Sequence, residues 1–143
     1  MFDHPTAAEL IAAARLQIEQ HVIPTIAEPR LRFQTLVAAN VLAIVERALA
    51  VGERHLAAAW RRMAALAGDA QAEPPADTLH TAVAAQSARL CARIRAGDYD
   101  EAPARDALLA HLRRTAEEEL AVANPRFLER LTPRQGDKET SRS

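Results

Sequence analysis

The 143 residues contain one cysteine, four glycines and 3% aromatic side chains. Each scarcity excludes something. With Cys91 alone, no intrachain disulfide can form, which suits a reducing compartment. With so few glycines there is no G-x-x-x-x-G-K-[ST] or G-x-G-x-x-G loop to cradle a phosphate, and no G-x-S-x-G nucleophile turn is present. Few aromatic rings leave little for bases to stack on, and a formal net charge of −1 gives no general pull toward nucleic acid or anionic membrane. No run reaches 18 consecutive apolar residues, and the opening MFDHPTAAEL lacks the basic and apolar regions of a signal peptide. Neither a membrane partner nor a nucleic-acid partner is therefore expected, and the expected location is the cytoplasm. No stretch alternates at period two over a useful length, so strands are not expected.

What the chain does have is helical periodicity. Leu36 to Val45, LVAANVLAIV, holds Asn40 as its one polar residue. At about 100° per residue, Phe33, Val37, Asn40, Val41, Ile44, Ala48 and Val51 share one face, while Leu31, Ala38, Leu42, Val45 and Leu49 lie nearly opposite. A helix apolar on two sides is expected to be packed from two sides, so Arg30 to Val51 reads as the buried central helix of a bundle, with Gly52 as its left-handed stop.

The other helices follow in order. Thr6 and Glu9 form a T-x-x-E capping box, and Pro24 ends the first helix near His21 or Val22. Leu56, Trp60, Met63 and Ala67 mark a separate helix closed by Gly68. The link GDAQAEPPAD precedes a helix capped by Asp77 or Thr78, whose stripe is Leu79, Val83, Leu90 and Ile94, with Gly97 at its end. Pro103 suits the first turn of the next helix, whose face is Leu108, Leu112, Ala116 and Ala123. Asn124 and Pro125 start a short turn holding Phe127, Leu128 and Leu131. The expected fold is all-α: a single-domain bundle over residues 1–131 of about five mostly antiparallel helices plus a short C-terminal helical turn. Residues 132–143 have no apolar side chain after Leu131 and read as a disordered tail.

Few residues offer chemistry. Asn40 in the middle of an apolar face is either a ligand contact or a core amide bonded to a neighbouring helix end, since a buried unpaired amide costs about 1–3 kcal/mol. Glu119 falls on the Leu112–Ala123 face and reaches either solvent or an arginine such as Arg47. Asn40, Arg47 and Glu119 are thus the candidate ligand-binding residues, and no catalytic set is visible. The histidines His4, His21, His55, His80 and His111 make no two-ligand helical spacing, and the Asp77–His80 pair is already explained by the cap, so no metal or other cofactor is expected. Arg61 with Arg62 and Arg113 with Arg114 read as solvated pairs near Glu117 and Glu118, and Cys91 as a small helix-flank hydrophobe. Trp60 and Met63 either fill the core or anchor an interface.

Three blocks carry a resemblance: DHPTAAEL at 3–10, VAANVLAIVERAL at 37–49 and AVANPRFL at 121–128. Together they resemble a family of small bacterial all-helical proteins of unknown function, often encoded beside aminoglycoside-phosphotransferase-like kinases and acyl-CoA dehydrogenase-type enzymes. The resemblance supplies no catalytic residues. It implies a non-catalytic accessory or interaction protein linked to phosphotransferase or acyl-CoA metabolism, with a protein partner or a second copy of itself. The alternative is a small-ligand-binding bundle, or an enzyme, with a polar site around Asn40.

Overall fold

The computed structural model describes residues 5–69 and 72–131. The fold is all-α. Helix α1 spans Ala7–Gln17, continues through a π-helical turn at Ile18–Val22, and ends in a 3₁₀ turn at Ile23–Thr25. Helix α2 spans Pro29–Ala67, α3 Ala76–Arg95, α4 Ala104–Ala123 and α5 Pro125–Leu131. No strand occurs among the described residues. The expected tail at 132–143 lies outside them, as does His4.

The ends of these helices follow from local chemistry. The Thr6 hydroxyl accepts from the Glu9 backbone N–H at 3.2 Å, and Glu9 Oε2 accepts from the Thr6 N–H at 2.7 Å, which completes the capping box. The hydrogen bond from the Thr6 N–H holds the Glu9 carboxyl below its usual range. Glu28 caps α2, its two carboxylate oxygens accepting from the N–H groups of Arg30 and Leu31 at 2.8 and 2.6 Å, with Pro29 at the first helical position where no N–H is needed. At the far end Gly68 takes a φ of 72°; its N–H donates to the Ala65 carbonyl and the Asp69 N–H to the Ala64 carbonyl, a Schellman stop. Gly97 closes α3 in the same way, with φ 89°. Asn124 ends α4 and starts α5, its side chain accepting from the Phe127 N–H at 3.2 Å. The expected cap at Asp77 or Thr78 is displaced: α3 begins at Ala76, and Thr78 instead donates its hydroxyl to the Pro75 carbonyl.

The largest departure from expectation is α2. Gly52 does not stop it; the helix runs unbroken through 39 residues. Gly52 lacks the positive φ of Gly68 and Gly97, and no proline or capping side chain follows it to take over. Leu42, Leu49, Leu56 and Met63 recur every seventh residue, so the apolar stripe stays in phase across the glycine.

The chain falls into two compact units, Met1–His55 and Leu56–Ser143, with the division inside α2. In the first unit α1 and the N-terminal part of α2 form a hairpin. Ile11 and Arg15 on α1 and Ile18 in the π-helical turn are half-buried. On α2 up to His55 Ala39 is buried, and Thr35, Leu42, Ala43, Ile44, Glu46, Arg47, Ala48, Val51, Gly52 and His55 are half-buried. Arg15 joins the two helices: its Nε donates to Glu46 Oε2 at 2.9 Å and its Nη1 to Glu19 Oε2 at 2.8 Å. The bond to Glu46 is the main reason the Arg15 pKa is raised.

The expectation that Arg30 to Val51 is the least accessible helix is overturned. Phe33, Val37 and Val41 are exposed, and so are Leu31, Leu36, Val45 and Leu49. The reason is geometric. Helix α1 is one partner, about 16 Å long at 1.5 Å per residue, and it covers the small-residue edge through Ala39 rather than the bulky face.

The second unit has its own core. Ala57, Trp60 and Leu79 form its centre, with Leu56, Ala82 and Val83 against them. Met63, Tyr99 and Leu108 are also buried. The Tyr99 hydroxyl donates to the Leu66 carbonyl at 3.3 Å, and Ser87 donates to the Val83 carbonyl at 2.9 Å.

Candidate functional site

Two features stand out, one in each unit. The first is the bare face of α2. Phe33 is 66% exposed and Val41 51%, and the exposed i, i+4 row from Phe33 to Leu49 spans about 24 Å of helix at 1.5 Å per residue. Helix α2 contains an 18-residue window of which 6% is buried, long and apolar enough to cross a membrane by length and composition. A soluble monomer seldom leaves a contiguous apolar strip of this kind uncovered.

The second feature is a polar cluster between the C-terminal part of α2 and α4. Arg62 grips Glu118 with two parallel hydrogen bonds, Nη1 to Oε1 at 3.0 Å and Nη2 to Oε2 at 2.7 Å. Arg62 Nη2 also reaches the Thr115 hydroxyl at 3.3 Å, and its Nε donates to His111 Nδ1 at 3.4 Å. Arg114 adds a second cation, 3.2 Å from Glu118 Oε1. The Thr115 hydroxyl donates to the His111 carbonyl at 3.0 Å. Because Nδ1 accepts from Arg62, the proton of the neutral His111 ring sits on Nε2. Burial, and then the nearby Arg62 guanidinium, push the His111 pKa below its ordinary value, while Glu118 works in the opposite direction.

This cluster corrects the expected face of α4. The buried positions are Leu108, His111 and Glu118, with Thr115 half-buried between them; Leu112 and Ala116 are exposed. A tally of apolar residues picks the wrong side, because the buried carboxylate is matched by an arginine 56 residues earlier in the chain. Arg62 likewise leaves the solvated class, whereas Arg61 stays exposed and pairs with Glu73 at 2.9 Å.

The sequence-predicted residues fall as follows. Asn40 is exposed on α2, which corrects the expectation of a buried, hydrogen-bonded amide: the face that carries it has no covering helix within its unit. Arg47 is half-buried in the same unit, and Glu119 is exposed on α4 in the other. Trp60 and Met63 sit in the core of the second unit. The Trp60 Nε1–H is buried there with no partner among the described residues. His111 and Glu118 are not among the expected site residues; the signal that points to them is the polar set His111, Thr115 and Glu118 at i, i+4 and i+7 on one side of α4. Among the described residues no group of three or more His, Cys, Asp or Glu is placed to hold a metal ion.

These features define an all-α helical protein with an uncovered apolar helix face and a small polar cluster. Residues 24–127 match the model of a domain of unknown function, DUF6285, and the chain belongs to that family. Helix α1 lies outside the matched segment. No curated protein and no solved structure matches the chain.

Proposed function

We propose that this chain is a non-catalytic accessory or interaction protein that docks to a helical protein surface through the bare face of α2. One observation carries the reading: Phe33, Val37 and Val41 stand exposed at helical spacing, and Val45 and Leu49 continue the same i, i+4 row as it winds along the helix. Laying such a strip against an apolar partner surface removes it from water at roughly 25 cal/mol per Å² of apolar area. The partner implied by the family resemblance is a larger enzyme of phosphotransferase or acyl-CoA metabolism; a second copy of the chain would satisfy the same face.

A membrane is the second reading, and the composition of the α2 window supports it. Two charges count against it. Glu46 and Arg47 sit inside the apolar stretch, and Glu46 is tied to Arg15, so burial in hydrocarbon would carry an ion pair with it.

Native extraction of the tagged full chain, followed by light scattering, tests the proposal. The expected result is a complex with a protein partner or a second copy, abolished by Val41→Glu. A strictly monomeric chain that retains no protein overturns it. Flotation of the chain with vesicles, lost in Val41→Glu, would transfer the face to the membrane reading.

A further inference from the structure

A groove of about 470 Å³ opens in the second unit between the end of α2 and the start of α4. Its walls are Ala65 and Leu66 on one side and Ala104, Ala107 and Ala110 on the other, with Arg62, His111 and Tyr99 as the polar groups. The volume lies within the range of small-molecule sites, and the lining is mostly apolar with a few polar groups converging, as such sites are built.

Two observations say what the groove would take. The first is a donor without an acceptor. His111 is 8% exposed and lines the groove. Its Nδ1 is occupied by Arg62, while no described residue accepts from its Nε2–H. Nε2 is not among the fully enclosed unpaired atoms, so it is not sealed from solvent. The second is charge. The lining contains one cation, Arg62, and no carboxylate; Glu118, which pairs with Arg62, is not among the lining residues. The Tyr99 hydroxyl is already committed to the Leu66 carbonyl.

We propose that this groove binds a small monocarboxylate with an apolar body: a carboxylate oxygen accepts from His111 Nε2–H beside the Arg62 guanidinium, and the apolar body lies along Leu66 and the alanines. This site is separate from the docking face of α2 and does not depend on it.

Sodium octanoate, octanol and octylamine, titrated into the full chain, test the proposal with the His111 imidazole nitrogen resonances as readout. Octanoate should shift the Nε2 resonance saturably. Octanol should bind about tenfold more weakly or worse, since a hydrogen bond to a charged group is worth roughly 1.5–3 kcal/mol. Octylamine should leave the resonance unmoved. Ala107 and Ala110 are both exposed, so Ala107→Trp and Ala110→Trp should obstruct the groove and weaken octanoate binding about tenfold with unchanged helical circular dichroism. An Nε2 resonance indifferent to octanoate overturns the proposal. So does an equal response to all three probes, unchanged octanoate affinity in both folded tryptophan variants, or shifts confined to residues 31–49, which would mark unspecific adsorption on the α2 face.

Discussion

The first unit holds the most apolar stretch of the chain, and the second holds its core. In Met1–His55 large aliphatic side chains from Leu31 to Leu49 stand in water, and the buried α2 position opposite α1 is Ala39. In Leu56–Ser143 a less apolar sequence encloses Trp60, Leu79 and Leu108, together with the polar side chains Gln86, His111 and Glu118. Burial is decided by how many elements surround a face, not by how apolar the face is. A hairpin offers each helix one neighbour, so a helix apolar on two sides keeps one bare. The second unit surrounds its centre with α3, α4 and the end of α2, and can enclose even an arginine–carboxylate pair.

The sharpest way to break this contrast is to truncate one large side chain in each unit. Leu79 is 2% exposed, so Leu79→Ala should cost about 2–5 kcal/mol in a denaturant titration. Phe33→Ala removes a larger group yet should stay within about 0.5 kcal/mol for the chain alone, because its side chain is in water already. Equal losses would erase the distinction between the units.

Ion pairs extend the comparison. Arg62→Ala strands Glu118 in a buried setting and should cost about 2–3 kcal/mol, reduced from the fully buried case because Arg114 remains 3.2 Å away. Arg15→Ala in the hairpin breaks pairs whose carboxylates are more exposed than that of Glu118 and should cost less than about 1 kcal/mol. The midpoints of the two variants, read side by side, check both values.

Gly52 supplies a smaller effect of opposite sign. It is helical, and a Cβ added there meets no atom within 4 Å, so Gly52→Ala should raise stability by about 0.5–1 kcal/mol. A destabilised variant would restore the break between two helices.

How much of this was legible in the sequence depends on the reach of each signal. Caps act over a few residues, and Thr6 with Glu9, Gly68, Gly97 and Asn124 behave as their local chemistry dictates. The continuity of α2 was also readable, since the in-phase set Leu42, Leu49, Leu56 and Met63 outweighs a single glycine. The side of α4 that faces inward was not. Leu112 and Glu118 exchange their usual places only because Arg62 arrives from another helix, and no periodicity within α4 announces a partner 56 residues away. The exposure of Asn40 was illegible for the converse reason: it looks buried until the missing neighbour of its face is known.

The smallest effect is a pH dependence confined to the second unit. His111 has a folded pKa below its unfolded value of about 6.5, so the unfolded chain binds the extra proton first as pH falls. Its contribution is intact above about pH 6.5 and is lost as pH drops from there toward the folded pKa. His111→Gln, whose amide oxygen can still accept from Arg62, should flatten the stability profile below about pH 6.5 relative to wild type. An unchanged slope would remove His111 from the account.

The central claim is that the bulky face of α2 is left bare by its own chain, as the docking proposal requires. Urea denaturation of Val41→Glu, at a dilution where wild type is monomeric, tests it most directly. The account predicts a midpoint within about 0.5 kcal/mol of wild type, since the new carboxylate stands in water. A loss of several kcal/mol at that dilution would show that the face is buried within the chain itself and would contradict the claim.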